Sequence, residues 1–349
     1  MKIKTWCLGL ILFFYCWGAG AQADTIILKG AGATFPYPLY ETWLNYYAEK
    51  FKVRLTYQAI GSSGGTQALL NREVDFCGSD AYISDAEMAQ VPEPLLHMPT
   101  CLGAVVLFYN LPGNPSLKLT PQLVADIFTG KIRKWSDPRI TAVNPHSKFP
   151  DLTITVVHRS DGSGTTFIFT NYLAKVNREW REKVGQGKTV NWPTGLGVET
   201  NNGIVTFVKK ISGALGYTEL NYAQTAQLPL ASIQNKSRNF IKPDLQSVSV
   251  AAQVAFPADT RALIIDTTAP KGYPISGFSW LIFYKEQAYL QRSYYRAKTL
   301  VEFLWWTIHE GQKFNTKKNY GILPAPVIGK AETILKSMTF NGVPLLDIQ

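Results

Sequence analysis

The segment Arg159-Ser160-Asp161-Gly162-Ser163-Gly164-Thr165-Thr166 places one guanidinium, one carboxylate and several hydroxyls around two glycines. Three further segments share that character: Gly30-Ala31-Gly32-Ala33-Thr34-Phe35, Gly61-Ser62-Ser63-Gly64-Gly65 and Gly78-Ser79-Asp80. Each follows a stretch that reads as a β-strand, and two of them open a helix. A helix N-terminus carries unpaired N–H groups and partial positive charge. Glycines let that backbone approach a ligand closely, and hydroxyls add donors, so such entries suit phosphate or sulfate. Arg159 adds a charged fork able to bind an oxyanion through two bonds. Any one of these loops alone reads as a tight turn with a capped helix. Four of them, all after strands and divided between two parts of the chain, read as the walls of an anion-binding cleft.

Several other chemistries do not fit. The G-x-x-x-x-G-K-[ST] nucleotide loop is missing. Ser163 lacks the G-x-S-x-G spacing of a nucleophile elbow. The four histidines, His97, His146, His158 and His309, stand at no metal-motif spacing with one another or with a cysteine, so no metal site is expected. No enzyme and no cofactor are therefore expected.

The loops need elements to hold them. Short β-branched runs alternate with helical patterns: strands at 25–29, 53–60 and 74–77, a helix at 39–51 with Leu39, Trp43 and Tyr47 on one face, and a helix at 66–71 after the 61–65 loop. A second set follows, with strands at 153–158, 213–217 and 262–266 and a helix starting near Gly164. The alternation predicts an α/β fold with mainly parallel strands. Two long apolar strands, 102–110 and 275–284, read as crossovers between two lobes. The C-terminal part, 287–314 and 331–338, reads as helical, with Tyr294, Leu300, Phe303 and Leu304 in the core. The expected lobes are 24–105 with 280–349, and 106–279.

The start of the chain has the form of a secretory signal. Lys2 and Lys4 precede an apolar run, and Ala21-Gln22-Ala23 supplies small residues for cleavage before Asp24. The run, Trp6 to Trp17, is shorter than the roughly 20 residues that span a bilayer. Without residues 1–23 the chain has 326 residues, above the size at which single cores split into domains. The net charge of +10 falls to +8. Lysines and arginines are dispersed, which argues for a solvated basic surface rather than nucleic-acid binding. Of the cysteines, Cys77 and Cys101 remain after cleavage. An even pair in an oxidising compartment is a disulfide candidate; two buried thiols ending neighbouring strands are the alternative.

The segments GAGATFPYPLY (30–40), GSSGGTQALL (61–70), DFCGSD (75–80), RSDGSGTTF (159–167) and GALGYTELNYA (213–223), with KIRKW (131–135), resemble the phosphate-binding proteins of bacterial ABC-type phosphate transporters. The likeness runs through the whole chain after the signal. It implies a type II periplasmic-binding-protein fold, two α/β lobes joined by two hinge strands with phosphate between them, acting as a periplasmic monomer that delivers its ligand to a membrane permease. Carried over by position, Thr34, Phe35 (through its N–H), Ser62 and Asp80 would bind phosphate from the first lobe. Arg159, Ser163, Gly164 and Thr165 would bind it from the second, with Asp161 holding Arg159. Asp80 would accept a hydrogen bond from a phosphate O–H, which sulfate does not offer. A binding protein for another oxyanion, and a surface or signalling protein on the same fold, are the competing readings. Cys77 and Cys101 stand where the family commonly has small or aliphatic residues.

Overall fold

The computed structural model describes residues 26–346; the expected signal and its cleavage site before Asp24 lie outside them. Nine strands form one sheet: β1 (Ile27–Gly32), β2 (Arg54–Gln58), β3 (Phe76–Ser79), β4 (Leu95–Tyr109), β5 (Thr155–Arg159), β6 (Leu196–Val198), β7 (Ala214–Glu219), β8 (Ile264–Ile265) and β9 (Ile275–Tyr284). Their order is β2-β1-β3-β9-β4-β7-β5-β6, with β8 paired to β9. Strands β2, β1 and β3 are parallel, as are β7, β5 and β6. The two parallel sets are joined through β9 and β4, which run antiparallel to their neighbours.

Strand β4 ties the two sets together. Its residues Leu95–Ala104 pair with β9, and Val105–Tyr109 pair with β7. Every residue of β9 and nearly every residue of β4 is buried, which is why 275–284 and 102–110 read as long apolar strands. The crossover expected at 102–110 begins seven residues earlier, at Leu95. His97, Pro99 and Thr100 hid this part of the strand. His97 is buried and its Nε2 accepts from the Ile83 N–H at 3.0 Å. Thr100 is an extra residue: Ser279 faces Cys101 while Trp280 faces Pro99, so the register slips there. A bulge of this kind accommodates the proline and bends the strand. The Thr100 hydroxyl donates to the Ser279 carbonyl at 2.9 Å and pins the slip.

Helices cover the sheet. Helix α1 (Tyr37–Phe51) buries Leu39, Trp43 and Tyr47, the face its spacing predicts. Helix α2 (Gly61–Leu70) takes in the glycine-rich stretch that was expected to be a loop. Glycine disfavours a helix by about 1 kcal/mol against alanine, but packing overrides that here. A Cβ on Gly65 would stand 2.3 Å from the Gly32 Cα, so α2 lies against β1 only because Gly65 has none. Helices α3 (Gly164–Val176) and α4 (Asn201–Lys210) follow β5 and β6. Helix α5 (Tyr294–Ile308) begins at its Ser293 cap rather than at 287. It buries Leu300, Phe303 and Leu304, whereas Tyr294 is 46 % exposed and outside the core.

The disulfide does not form. Cys77 faces Ile282 on one side of β9, and Cys101 faces Ser279 on the other. Two strand spacings, about 9.5 Å, separate them, beyond the roughly 7 Å that a bridge spans between Cα atoms. Both are free, buried thiols.

Strand β3, which leads to Asp80, is anchored at its start by a buried ionic cluster. Asp75 accepts from the Lys29 N–H at 2.6 Å and from Arg296 Nε and Nη2 at 2.9 Å each, and it pairs with Arg292 Nη1. Asp75 and Arg292 are almost wholly buried. Breaking a buried pair by removing one partner strands the other charge, at about 3–5 kcal/mol. Asp75→Ala should therefore lower the unfolding free energy by about 3–5 kcal/mol, read as a shifted urea midpoint with an unchanged slope.

Candidate functional site

The carboxyl ends of β1, β3, β5, β6 and β7 converge on one region between the two parallel sets, the place where ligands bind in such sheets. Thr34 and Phe35 follow β1, Asp80 follows β3, Arg159 ends β5, and Asn201 opens α4 just after β6. Helices α2 and α3 point their N-termini at the same region from opposite sides. Thr34, Phe35, Ser62, Asp80, Arg159, Ser163 and Thr165 are all buried.

The two sides are bonded to each other. Ser62 Oγ accepts from the Gly164 N–H at 3.1 Å and from the Asp80 N–H at 3.3 Å. Asn201 Nδ2 donates to Thr34 Oγ1 at 3.0 Å and to Thr165 Oγ1 at 3.2 Å. Tyr222 Oη donates to the Thr34 carbonyl at 2.6 Å. The Ser63 N–H donates to the Gly162 carbonyl at 3.0 Å. The Phe35 carbonyl accepts from Tyr320 Oη at 2.6 Å, which fixes the turn that presents the Phe35 N–H.

Arg159 is held as a directed donor. Its Nε donates to Asp161 Oδ1 at 2.6 Å, its Nη2 to Asp161 Oδ2, and its Nη1 to Asn201 Oδ1 at 3.3 Å. A guanidinium has five N–H bonds, so two remain for a ligand. Tyr217 Oη accepts from the Arg159 N–H at 3.1 Å and contacts Thr166 Oγ1 at 2.6 Å, tying β5 to α3. Asp161 also accepts from the Thr200 N–H at 3.3 Å, and Thr200 caps α4. Burial raises the Asp161 carboxyl, but the bonds and charge of Arg159 outweigh it and hold the group below the usual carboxylate range.

The two acids face opposite environments. Asp80 is 1 % exposed, and burial pushes its carboxyl up to about 7 against the opposing effects of Ser279 and Arg159. Its Oδ1 accepts from Ser279 Oγ on β9. Its Oδ2 faces α3: a Cβ built on Gly164 would lie 2.6 Å from it. With Asp80 protonated, as it is below about pH 7, Arg159 and Asp161 remain as a compensated pair. The site therefore attracts an anion mainly through N–H and O–H dipoles, with the helix termini behind them.

Of the residues named from sequence, Thr34, Ser62, Asp80, Arg159, Gly164 and Thr165 meet in this region, with Asp161 behind Arg159. Ser163 has less to offer than expected. Its N–H donates to the Lys188 carbonyl at 2.9 Å and its Oγ accepts from the Thr166 N–H at 3.1 Å as the cap of α3, leaving only the hydroxyl proton. His158 faces away, stacked on Trp192 at 4.7 Å. Asn201, Ser279, Tyr217 and Tyr222 were not read from the sequence. Thr200-Asn201-Asn202-Gly203 is a legible helix-start signal; Ser279 lies inside an apolar run that gave none. Among the described residues no group of three or more histidines, cysteines or acids could hold a metal ion, and no helix is long and apolar enough to cross a membrane.

Comparison with known proteins places this geometry in a family. The family profile described as the PBP superfamily domain (PBP_like_2) matches residues 19–310. The phosphate-binding protein PstS of Pasteurella multocida is 39 % identical over 333 residues, covering 94 % of this chain and 94 % of the relative. That of Haemophilus influenzae is 37 % identical over 322 residues, covering 91 % and 94 %. Among solved structures, a high-affinity periplasmic phosphate-binding protein bound with phosphate superposes with a TM-score of 0.71 at 23 % identity, over 88 % of this chain and 93 % of that one. This last likeness shows the shared fold.

Asn201, like Ser62, bonds residues of both sides at once: Thr34 on one, Thr165 and Arg159 on the other. Asn201→Ala should weaken binding of an oxyanion probe such as inorganic phosphate by about 1–3 kcal/mol, the cost of leaving its buried partners unpaired, or roughly fivefold to 150-fold by calorimetry. The melting temperature of the ligand-free variant should move little beside that loss.

Proposed function

We propose that this chain, which belongs to the PBP superfamily and within it to the PstS phosphate-binding proteins, captures inorganic phosphate outside the cytoplasmic membrane and delivers it to an ABC-type import permease. The observation that carries this reading is Asp80: a carboxyl buried among donors, aimed at a helix N-terminus, with a proton affinity near neutrality. Once ionised, that group only accepts hydrogen bonds, and a site meant for a fully deprotonated anion gains nothing from it then. A site for phosphate, which keeps a proton near neutral pH, uses it. One proton is shared between Asp80 and a phosphate oxygen, whichever of the two carried it before binding.

In this reading Thr34, the Phe35 N–H and Ser62 hold phosphate from the lobe of residues 24–105 and 280–349. The two free N–H bonds of Arg159, the Ser163 hydroxyl, the Gly164 N–H and Thr165 hold it from the lobe of residues 106–279. The anion takes over donors that now bond Ser62 Oγ and Thr34 Oγ1 across the cleft. Closure about β4 and β9 is a hinge motion, and contacts from both lobes favour the closed form. One chain supplies every contact, which fits a monomer. The role makes and breaks no covalent bond. Residues 1–23 act as the export signal, with the mature chain starting at Asp24.

Calorimetry with phosphate, sulfate and arsenate tests the reading. Phosphate and arsenate should bind one per chain, with sulfate weaker by a margin that widens as pH rises above about 7, where Asp80 loses the proton it could offer sulfate and leaves a buried polar contact unpaired. Asp80→Asn should narrow that gap sharply; an unchanged preference overturns the role of Asp80. The pH dependence has a definite sign. Below about 7 Asp80 keeps its proton and can donate to sulfate; above it the carboxylate repels sulfate. Sulfate affinity should fall by roughly tenfold per pH unit above 7, and Asp80→Asn should abolish that slope. In the closed form the same raised carboxyl makes stability decline as pH rises from about 4 to 7, because the unfolded chain releases this proton first.

A further inference from the structure

The rim of the cleft holds a contact in which no proposed phosphate-binding residue takes part. The Ser63 N–H, in the first turn of α2, donates to the Gly162 carbonyl, just before α3, at 3.0 Å. The two main chains therefore touch directly. A Cβ on Gly162 would lie 2.1 Å from Ser63 Oγ and 2.3 Å from Ser63 Cβ, but 3.6 Å from Ser63 Cα. Gly162 does not have a left-handed φ, so its backbone conformation is open to alanine. The glycine is required by what stands across the cleft and not by its own turn. Gly61 completes the seam: a Cβ there would be 2.8 Å from Asp161 Oδ2 and 3.1 Å from the Gly162 carbonyl.

We propose that Ser63 and Gly162 are affinity-determining residues that act without touching the ligand, by setting how closely the lobes approach. The proposal rests on the phosphate reading above. The donors on α2 and α3 reach one anion together only if the two helix starts come within backbone hydrogen-bond distance of each other. The volume at positions 63 and 162 fixes whether they do. A methyl group at 162 acts as a spacer in the rim. It holds the lobes apart, leaves the anion shell chemically intact and shifts the balance toward the open form. Removing the opposing side chain at 63 takes the spacer's obstacle away.

The test is a compensating pair measured in the full mature chain. Gly162→Ala should weaken phosphate binding at least tenfold by calorimetry, while the ligand-free melting temperature stays within about two degrees of the parent, because the clash exists only between closed lobes. Small-angle scattering should show less contraction on adding phosphate. In the Gly162→Ala background, Ser63→Gly should restore affinity to within about threefold of the parent, since the nearest atom is then the Cα at 3.6 Å. Ser63→Ala should not restore it, because the Cβ at 2.3 Å remains. Unchanged affinity in Gly162→Ala overturns the proposal, and so does a loss that Ser63→Gly fails to reverse. Failure of the unaltered protein to bind phosphate would overturn the underlying function instead, and is read in the same titration series.

Discussion

Two helices meet almost N-terminus to N-terminus, and the rest of the cleft is arranged around the donors this exposes. First-turn N–H groups have no partner inside their own helix, and α2 has no side-chain cap at its start. Bringing two such termini together concentrates positive potential in a buried place. Ser62 Oγ and the Gly162 carbonyl act as the acceptors that satisfy part of this demand. An oxyanion satisfies it more fully, since one small group presents acceptors in several directions. Glycines at 61, 162 and 164 follow from the same constraint, because side chains there would separate the termini.

Within that field the charged groups have divided duties. Asp161 sits against Arg159 and stays ionised, so the guanidinium enters the site with its charge largely balanced and its orientation fixed. Asp80 has no charged group bonded to it, and burial outweighs the opposing effects of Ser279 and Arg159. The same side-chain chemistry thus gives a fixed counter-ion on one side of the cleft and a proton-holding group on the other. Hydrogen-bond direction supplies the attraction, and proton bookkeeping supplies the choice between anions of similar size and shape.

The sequence carried the loops well because their residue types are tied to backbone chemistry: glycine where chains approach, hydroxyls at helix starts, a charged fork beside an acid. Thr34, Asp80, Arg159 and Gly164 were legible for that reason. Residues that act through tertiary distance were not. Ser279 reaches Asp80 from a strand almost two hundred positions away, and nothing in its apolar neighbourhood marks it. Asn201 lay at a readable helix start, yet only the fold brings it between Thr34 and Thr165. The helical state of 61–65 was hidden because propensity opposes it and packing on β1 decides it. The absent disulfide follows from register: β9 lies between the two cysteine-bearing strands, a fact that spacing along the chain does not contain.

Strand β9 links the mechanics of this molecule to its acidity. The slip at Thr100 lies beside Ser279, and Ser279 is the residue that holds the Asp80 carboxyl. The irregular point of the paired crossover strands is therefore also the support of the proton-bearing group. Any flexing of these strands that changes the local twist alters the donor distance to Asp80, and with it how tightly the proton is kept. Shape and titration are in this sense one variable: a ligand that bends the crossover retunes the acid it meets, and a change in that acid's protonation biases the bend in return.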